Sequence, residues 1–403
     1  MDASFFEGNR KAVLGRMQQG DVLLLFAGKA PNKRGDEDYP FTPDRNFYYL
    51  TGIDRQHMIL LLEKTAEGSR TRLYIPPDNG QQARWVGANL TPQEATALSG
   101  ITDVAFLSDW EQDRQGLTAG RLWLDQSRVD LPDWAISLGF AEFTVEDAAP
   151  MFAQLRTTKQ PQELEKMKQA MAITAEAITE MMKNAKPGMM EYELEAYYDF
   201  VLRKRGVKDK AFTTIVAAGQ NGTVLHYSQN DGCAQDGDLV LVDAGAQVGY
   251  YNGDITRTFP VNGKFTPRQR QVYDIVLGGQ ALILSMIRPG VAYPSLNEAL
   301  KEYYYEALKK IGLVQTREEV FQYYFHNVSH YLGAETHDVG DRKGILQEGM
   351  VITVEPGLYI APWRIGIRIE DDVLVTKDGA EVLTGAVVKD PDAIEALMAH
   401  KQS

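Results

Sequence analysis

Apolar and polar residues follow two different patterns along the first part of the chain. Short apolar runs predict β-strands over residues 22–26, 47–50, 58–62, 72–75 and 121–124. Helical spacing predicts helices over 7–18 and 91–98, the second opened by Thr91 and Pro92 in the cap and first-turn positions. Strands that alternate with helices are typical of an α/β fold, which we assign to a domain of residues 1–155. We find no motif that carries chemistry in this domain.

The rest of the chain, residues 156–403, is predicted to form a second domain with an internal repeat. Regular patterning lapses near 143–160, and Pro161 then opens a long helix. Each half of this domain contains a helix, a Pro-Gly turn, a second helix, an apolar strand that ends in an acid, and one further acid. The corresponding residues are Pro187 and Pro289, Asp243 and Glu355, and Asp254 and Glu370. The repeat predicts two similar α/β halves around a pseudo-twofold axis, with two carboxylates from each half in one central cleft.

Composition and charge narrow the function further. With 403 residues, of which 44% are hydrophobic and 24% charged, the chain has the profile of a folded globular protein with two domains. The net charge of −13 argues against a basic face that binds nucleic acid. Cys233 is the single cysteine, which excludes an internal disulfide and a cysteine-based zinc site. We find no membrane span or signal peptide, and we therefore expect a cytoplasmic protein without nucleic-acid or membrane partners.

The four acids of the repeat have simple explanations when each is taken alone. An Asp after an apolar strand is more often a turn or cap residue, and Arg368 could simply form an ion pair with a carboxylate beside it. Together, however, four carboxylates on apolar strands would repel each other and resist desolvation. Protonated acids, arginine partners or cations could relieve the repulsion. Because Arg368 is the one arginine obviously near, divalent metal ions are the more economical explanation.

The histidines favour the same explanation. Three of the six histidines, His326, His330 and His337, fall within twelve residues, and His226 lies shortly before Asp243. A lone histidine is usually a core or surface residue, but clustering beside acidic strands favours a function. Several carboxylates with one imidazole suit Mn²⁺, with Co²⁺ or Zn²⁺ as alternatives, and do not suit copper or a thiolate-zinc site.

Several motifs around these residues resemble one protein family. The segments VDAG, GDITRTFPVNGKFT, HNVSHYLG, HDVG, VEPGLYIAP and GIRIEDD are similar to those of the pita-bread metallopeptidases, and most of all to the aminopeptidase P subfamily. The similarity covers the chain from about residue 160 and extends more loosely to DEDYPFTPDRNFYYLTG in the N-terminal domain. It implies an α/β N-terminal domain followed by an α+β pita-bread domain.

The resemblance implies a site with two divalent metal ions. The implied ligands are Asp243, Asp254, His330, Glu355 and Glu370. Asp254 and Glu370 would bridge both ions, Asp243 would hold one, and His330 and Glu355 would hold the other. The implied catalytic residues are Glu355, His226, His326 and His337, of which the three histidines would line the substrate site without binding metal.

The resemblance also implies an activity, which is hydrolysis of the peptide bond between an N-terminal residue and a following proline. Peptides with proline in second position would be the partners. Glu355 would carry a proton to the proline nitrogen, and His226 or His337 would help to stabilise the oxyanion. A pocket for proline should be apolar because that tertiary amide has no N–H. The candidate substrate-binding residues are Phe212, Tyr359 and Arg368, although core packing explains Phe212 and Tyr359 equally well.

Two positions depart from the family pattern. Asn327 stands where the family usually has a glycine, and asparagine is the residue besides glycine that best adopts the left-handed conformation. The segment between Glu355 and Glu370 is shorter than the subfamily pattern, which leaves the shape of the substrate pocket there open.

Three alternative functions and one question of assembly stay open. A prolidase would use the same metals on Xaa-Pro dipeptides alone, whereas Ser329 and the segment 387–398 favour aminopeptidase P. A non-catalytic peptide-binding module or a creatinase-like amidinohydrolase is disfavoured because all five ligands are present. Trp85 lies in a polar stretch and either packs against its own domain or contacts another subunit of a homodimer or homotetramer.

Overall fold

The computed structural model describes residues 1–117, 120–126 and 143–399. The chain divides into two compact units, Met1–Leu155 and Arg156–Ser403. Among the helices that are described, none combines the length and the apolar character that a membrane span requires.

The N-terminal unit is built on a six-stranded mixed sheet with the order β6-β5-β4-β1-β7-β8. Its strands are β1 (Val22–Phe26), β4 (Ile59–Lys64), β5 (Ser69–Ile75), β6 (Val104–Phe106), β7 (Gly120–Leu124) and β8 (Phe143–Asp147). A small exposed hairpin consists of β2 (Asn32–Arg34) and β3 (Glu37–Asp38). The helices are α1 (Ala3–Leu14), α2 (Arg45–Thr51), α3 (Ala83–Val86), α4 (Pro92–Ser99) and α5 (Leu107–Asp113). Every residue of β1 is buried because this strand lies between β4 and β7 and is covered on both faces.

One predicted strand is wrong, since residues 47–50 belong to helix α2. The side chain of Asp44 caps this helix by accepting a hydrogen bond from the backbone N–H of Phe47. Gly52, with φ of 68°, ends it in the left-handed conformation. The run Phe-Tyr-Tyr-Leu is apolar enough for a buried strand or a buried helix, and a short run does not distinguish the two by its periodicity. The capping residues decide between them.

The C-terminal unit consists of two halves with the same order of elements. The first half contains α7 (Pro161–Asn184), α8 (Glu191–Lys204), β9 (Ile215–Ala218), β10 (Leu239–Ala244) and β13 (Ile255–Pro260). The second contains α9 (Pro267–Met286), α10 (Tyr293–Lys310), β14 (Val351–Val354), β17 (Asp371–Val375) and β18 (Ala380–Val382). Each set of three strands forms an antiparallel sheet, β13-β10-β9 in one half and β14-β17-β18 in the other. The predicted repeat corresponds to the antiparallel pairs β10–β13 and β14–β17, whereas the third strand comes before the pair in the first half and after it in the second.

Two hairpins and helix α11 (Pro391–Ala399) complete this unit. The hairpins are β11 (Gln247–Val248) with β12 (Tyr251–Asn252), and β15 (Gly357–Ile360) with β16 (Ile365–Arg368). Helix α6 (Ala149–Thr157) lies mostly within the N-terminal unit, which ends at Leu155. The β15–β16 hairpin lies directly on the backbone of the 219–223 segment. A Cβ atom on Gly366 would come within 1.7 Å of the carbonyl oxygen of Gly222, so this close approach requires glycine. The approach positions Arg368, at the end of β16, beside strand β10 of the first half.

Candidate metal centre

Asp254, His330 and Glu370 meet at the junction of the two halves. Each offers one ligand atom, these atoms all lie within 4.8 Å of one another, and all three residues are buried. The Nε2 atom of His330 is 3.4 Å from Asp254 Oδ2, 3.6 Å from Glu355 Oε1 and 4.0 Å from Glu370 Oε1. Asp254 precedes β13, Glu355 follows β14, and Glu370 lies between β16 and β17. The geometry brings an imidazole and three carboxylates around one point.

Asp243, within strand β10, is the fifth predicted ligand. Its Oδ2 atom accepts a hydrogen bond of 2.6 Å from the guanidinium of Arg368. Its Oδ1 atom is buried and has no hydrogen-bond partner among the residues that the structure describes. A buried carboxylate oxygen without a partner is costly unless a cation satisfies it. The donor set at this site therefore fits divalent metal ions.

Electrostatics at the cluster support metal binding. Burial, and next the negative charge of Asp243, raise the pKa of Asp254 well above its ordinary value. Burial and then the charge of Asp254 raise the pKa of Glu370 in the same way. Burial also raises the pKa of Glu355, against the opposing influence of His330 and Arg368. One arginine does not neutralise four carboxylates, whereas divalent cations would hold them in their charged form.

The orientation of His330 is determined by its backbone contacts. Its Nδ1 atom is 3.0 Å from the carbonyl oxygen of Tyr331, which is an acceptor and therefore places the proton on Nδ1. The other nitrogen, Nε2, faces the acids. Thr353 completes the support, since its hydroxyl accepts from the backbone N–H of His330 and lies 3.4 Å from Glu355. This is the arrangement that orients histidine ligands in metal sites.

The cluster lies in a cavity of about 650 Å³. The predicted site residues that line it are Phe212, His226, Asp243, Asp254, His326, His330, His337, Glu355, Arg368 and Glu370. Tyr359 is not among the lining residues. Its hydroxyl lies 3.0 Å from His326 Nε2 and accepts a hydrogen bond from Arg368, so Tyr359 supports the wall of the cavity from behind.

The three other histidines have different surroundings. Burial lowers the pKa of His326 to about 3, and its two ring nitrogens contact the carbonyl of Asn327 and the hydroxyl of Tyr359. Burial, and next the neighbouring His330, lower the pKa of His337 to about 4. The rings of His330 and His337 are 4.4 Å apart between centroids. His226 is exposed to the cavity.

Both parts of the chain match known protein families. Residues 165–377 match the model of metallopeptidase family M24, which is more than half of the chain. The chain belongs to metallopeptidase family M24. Residues 6–122 match the aminopeptidase P N-terminal domain. Both parts of the resemblance seen in the sequence are confirmed.

Relatives within family M24 match along the whole chain. The Xaa-Pro aminopeptidase of Escherichia coli is 36% identical, over 98% of this chain and 98% of its own length. That of Haemophilus influenzae is 35% identical, over 98% of this chain and 96% of its own. The structure of zinc-substituted E. coli aminopeptidase P in complex with product has a TM-score of 0.95 and 34% identity, and covers 100% of this chain and 99% of that one. The predicted fold class is confirmed, and the chain is a metallo-exopeptidase that binds divalent metal.

Several residues that support the candidate ligands were not predicted from the sequence. The hydroxyl of Thr256 donates to Glu370 at 2.6 Å and accepts from Arg368, and Thr258 contacts the backbone of Arg368. Alternation along β13 places Asp254, Thr256 and Thr258 on one face, which was a usable signal. Glu335 and Arg342 also line the cavity but carry no local signal of that role.

The two departures from the family pattern have simple structural outcomes. Asn327 does not adopt a positive φ, so the left-handed conformation expected there is not needed. Its side chain instead accepts a hydrogen bond of 3.3 Å from Asn297. The short segment forms a turn at Ala361–Trp363, closed by Arg364 with φ of 55°. Residues 361–364 are all described and do not line the cavity.

Proposed function

We propose that this protein is a Xaa-Pro aminopeptidase that removes the N-terminal residue from peptides with proline in second position. The observation that carries the proposal is the buried acid–histidine cluster at the floor of a cavity, in a chain whose relatives over their full length are Xaa-Pro aminopeptidases. A cavity of about 650 Å³ is within the usual range for small ligands and has room for a short peptide.

The metal site of this proposal holds two divalent ions. The residues that would hold them are Asp243, Asp254, His330, Glu355 and Glu370. Four carboxylates and one imidazole form an oxygen-rich set that suits Mn²⁺, while Co²⁺ and Zn²⁺ are alternatives. When bound, such ions lower the pKa of water and polarise the carbonyl of the scissile bond.

Residues of the chain supply the remaining chemistry. Glu355, whose pKa is raised by burial, would accept the proton from the attacking water and deliver it to the proline nitrogen. His226 and His337 line the cavity, and an imidazole N–H from either one can donate to the developing oxyanion. Phe212 supplies an apolar wall for the proline ring. Arg368, which is paired with Asp243 and Tyr359, holds Asp243 in place and borders the substrate.

The test is a peptide-release assay on metal-depleted and reloaded protein. The purified chain is treated with EDTA, supplied with Mn²⁺, Co²⁺ or Zn²⁺, and given Xaa-Pro-Xaa, Xaa-Pro and Xaa-Ala-Xaa peptides. We expect release from Xaa-Pro-Xaa that Mn²⁺ restores, with little release from the alanine peptide. Cleavage of the dipeptide alone would identify a prolidase, and peptide binding without cleavage would identify a non-catalytic module.

Assembly and location complete the proposal. Trp85 is 88% exposed in its own unit, which supports a homodimer or homotetramer with this side chain in a subunit contact. A single exposed cysteine, Cys233, fits a reducing compartment, and we therefore propose a cytoplasmic enzyme. Sedimentation tests the first point, because a fully active monomer at assay concentration would contradict it.

A further inference from the structure

Glu191, the first residue of helix α8, holds together the loop that carries His226. The side chain is fully buried. Its Oε1 atom accepts hydrogen bonds from the backbone N–H of Ala218 at 2.7 Å and from the side chain of Asn221 at 2.9 Å. Its Oε2 atom accepts from the hydroxyl of Tyr227 at 2.7 Å and from the backbone N–H of Gly232 at 2.7 Å. One carboxylate thus joins four points along residues 218–232.

His226 depends on this loop for its position. The imidazole is exposed to the cavity and makes no hydrogen bond within the part of the chain that the structure describes. Its backbone is fixed through the next residue, because the hydroxyl of Tyr227 donates to Glu191. A second contact on the same face of α8 is one helical turn further on, where Glu195 accepts from Asn230 at 2.8 Å. Asn230 itself has φ of 49°, a conformation that such contacts must hold.

The second half of the unit uses the corresponding helix in the same way. Helix α10 holds the loop that carries His326 and His330 through its first and fifth residues. The first, Tyr293, donates to the hydroxyl of Ser329 at 3.1 Å. The fifth, Asn297, accepts from Tyr324 at 2.6 Å and from the backbone of Val328 at 3.2 Å. The helix after each Pro-Gly turn therefore anchors a histidine-bearing loop in both halves.

We propose that Glu191 is a positioning residue that holds His226 facing the substrate cavity. The role of His226 in this statement rests on the proposed function. A carboxylate suits this position because the four surrounding groups all donate hydrogen bonds, and a carboxylate has two oxygens that accept and no hydrogen that would face these donors. The loop also packs tightly against this carboxylate, since a Cβ atom on Gly232 would lie 2.9 Å from both oxygens of Glu191.

Glu191→Gln is the informative substitution because it conserves shape and replaces one acceptor by an NH₂ group. The NH₂ group then faces donors, the pair Ala218 and Asn221 or the pair Tyr227 and Gly232, depending on how the amide is placed. The loop loses acceptors while the metal ligands keep all of their own contacts. A loosened imidazole is misplaced relative to the substrate, and a shift of about 1 Å can cost ~10² in rate.

A double-mutant cycle with His226→Ala tests the proposal. We expect Glu191→Gln to lower kcat on a Xaa-Pro-Xaa peptide by about tenfold or more, with unchanged metal content. In the His226→Ala background the same substitution should change kcat less than about twofold, because its target is gone. Asn297→Ala, which acts on the other loop, is the matched control and should keep its full effect in that background. Equal effects of Glu191→Gln in both backgrounds would overturn the proposal.

Hydrogen exchange supplies a readout that does not require activity. The backbone amides of Ala218 and Gly232 should exchange faster in Glu191→Gln than in the parent chain, and unchanged exchange would overturn the anchoring role even in an active enzyme. An inactive parent with faster exchange in the variant would reject the proposed function and keep the anchor. If Glu191→Gln does not fold, Tyr227→Phe enters the same cycle with the same criteria, because it removes the hydroxyl that contacts Glu191 and Asp231 beside His226.

Discussion

The two halves of the C-terminal unit share their fold but hold their buried acids and histidines differently. In the first half, Glu191 accepts hydrogen bonds from neutral groups alone. In the second half, Asp338, which follows His337, pairs with Arg156 at 2.6 Å and Lys159 at 3.2 Å, and all three are buried. The loop that carries His226 is therefore held by hydrogen bonds from neutral donors, whereas the segment that carries His337 is next to a buried group of charges.

The histidines differ in a parallel way. His330 and His326 in the second half have ring nitrogens in contact with backbone or side-chain groups, whereas the ring of His226 has no such partner among the described residues. A metal ligand must present one nitrogen in one orientation, so its ring is fixed by a second contact. A residue that acts on substrate needs a free ring nitrogen. The comparison therefore supports the proposal that His330 binds metal and that His226 contacts substrate.

The largest effect is expected from removing one acid of each half. Asp254→Ala and Glu370→Ala should each lower kcat/KM by ~1,000-fold or more and release metal, because each removes a carboxylate of the proposed metal site and metal chemistry supplies several kcal/mol. Activity assays with metal analysis measure this, with the exposed acid variant Glu298→Ala as control. A variant that keeps two metals per chain and most of its turnover would show that the halves do not contribute equally.

The buried acids should differ in their contribution to stability. Asp338→Asn leaves Arg156 and Lys159 as uncompensated buried charges and should cost about 3–5 kcal/mol of unfolding free energy. Glu191→Gln disturbs hydrogen bonds from neutral donors, leaves no basic side chain unpaired, and should cost about 1–3 kcal/mol. Denaturant unfolding at neutral pH compares them. A larger cost for Glu191→Gln would reverse the comparison.

The ion pairs of Asp338 should also make the free energy of unfolding depend on pH. Burial acts to raise its pKa, but the charges of Arg156 and Lys159 outweigh burial, so the pKa is lowered from its ordinary value of 3.8. The unfolded chain then binds more protons, and this stabilisation is fully present above 3.8 and is lost as the pH falls through the folded-state pKa. The contribution should be absent from Asp338→Asn, which unfolding curves at decreasing pH would reveal.

Metal removal should produce the opposite pH dependence at the junction of the halves. The pKa values of Asp254 and Glu370 are raised by burial and by neighbouring acids from 3.8 and 4.5. The metal-free folded chain binds extra protons there, so its stability should fall as the pH rises above those values. Bound metal should add ~2.7 kcal/mol at a hundredfold excess over Kd. Melting curves of EDTA-treated and Mn²⁺-loaded protein should diverge with rising pH, and a constant gap would contradict the assignment.

The histidines that face the cavity should affect turnover and leave the metal in place. His337→Ala and His226→Ala should each lower kcat by ~10²-fold, the range for a lost proton-transfer or oxyanion contact. His330→Ala is the matched comparison and should release metal as well. Loss of metal from His337→Ala would make His337 a ligand and would add a second metal-binding histidine to the second half.

The smallest effect is expected outside both halves. Trp85→Ala should weaken subunit assembly or peptide binding by up to ~10-fold, since an exposed aromatic residue at an interface contributes through burial on assembly. Metal content should stay unchanged. Sedimentation at several concentrations and peptide KM measure the effect, and an unaltered profile for both would remove Trp85 from the proposed contact.

Most of the site could be predicted because its signals are local. Asp243 and Glu355 follow apolar runs, His330 lies in a cluster, and the repeat pairs acids from distant positions. Arg368 was a candidate for substrate contact and for an ion pair, and the structure shows the pair with Asp243. Tyr359 was a candidate for the cavity wall and lies behind it. Both outcomes depend on how β16 packs against β10. Alternation along one strand does not show which other strand it packs against.

The sequence by itself determined the family, the order of the ligands and the twofold repeat. These properties follow from residue types at short spacings, and apolar runs, alternation and caps act within a few residues. Tertiary structure alone decided which groups surround each buried charge. Asp338 meets Arg156 across 182 positions, and Glu191 meets Gly232 across 41. Such partners are selected by the cost of leaving a buried charge or donor unsatisfied, and that cost exists only after the chain has folded.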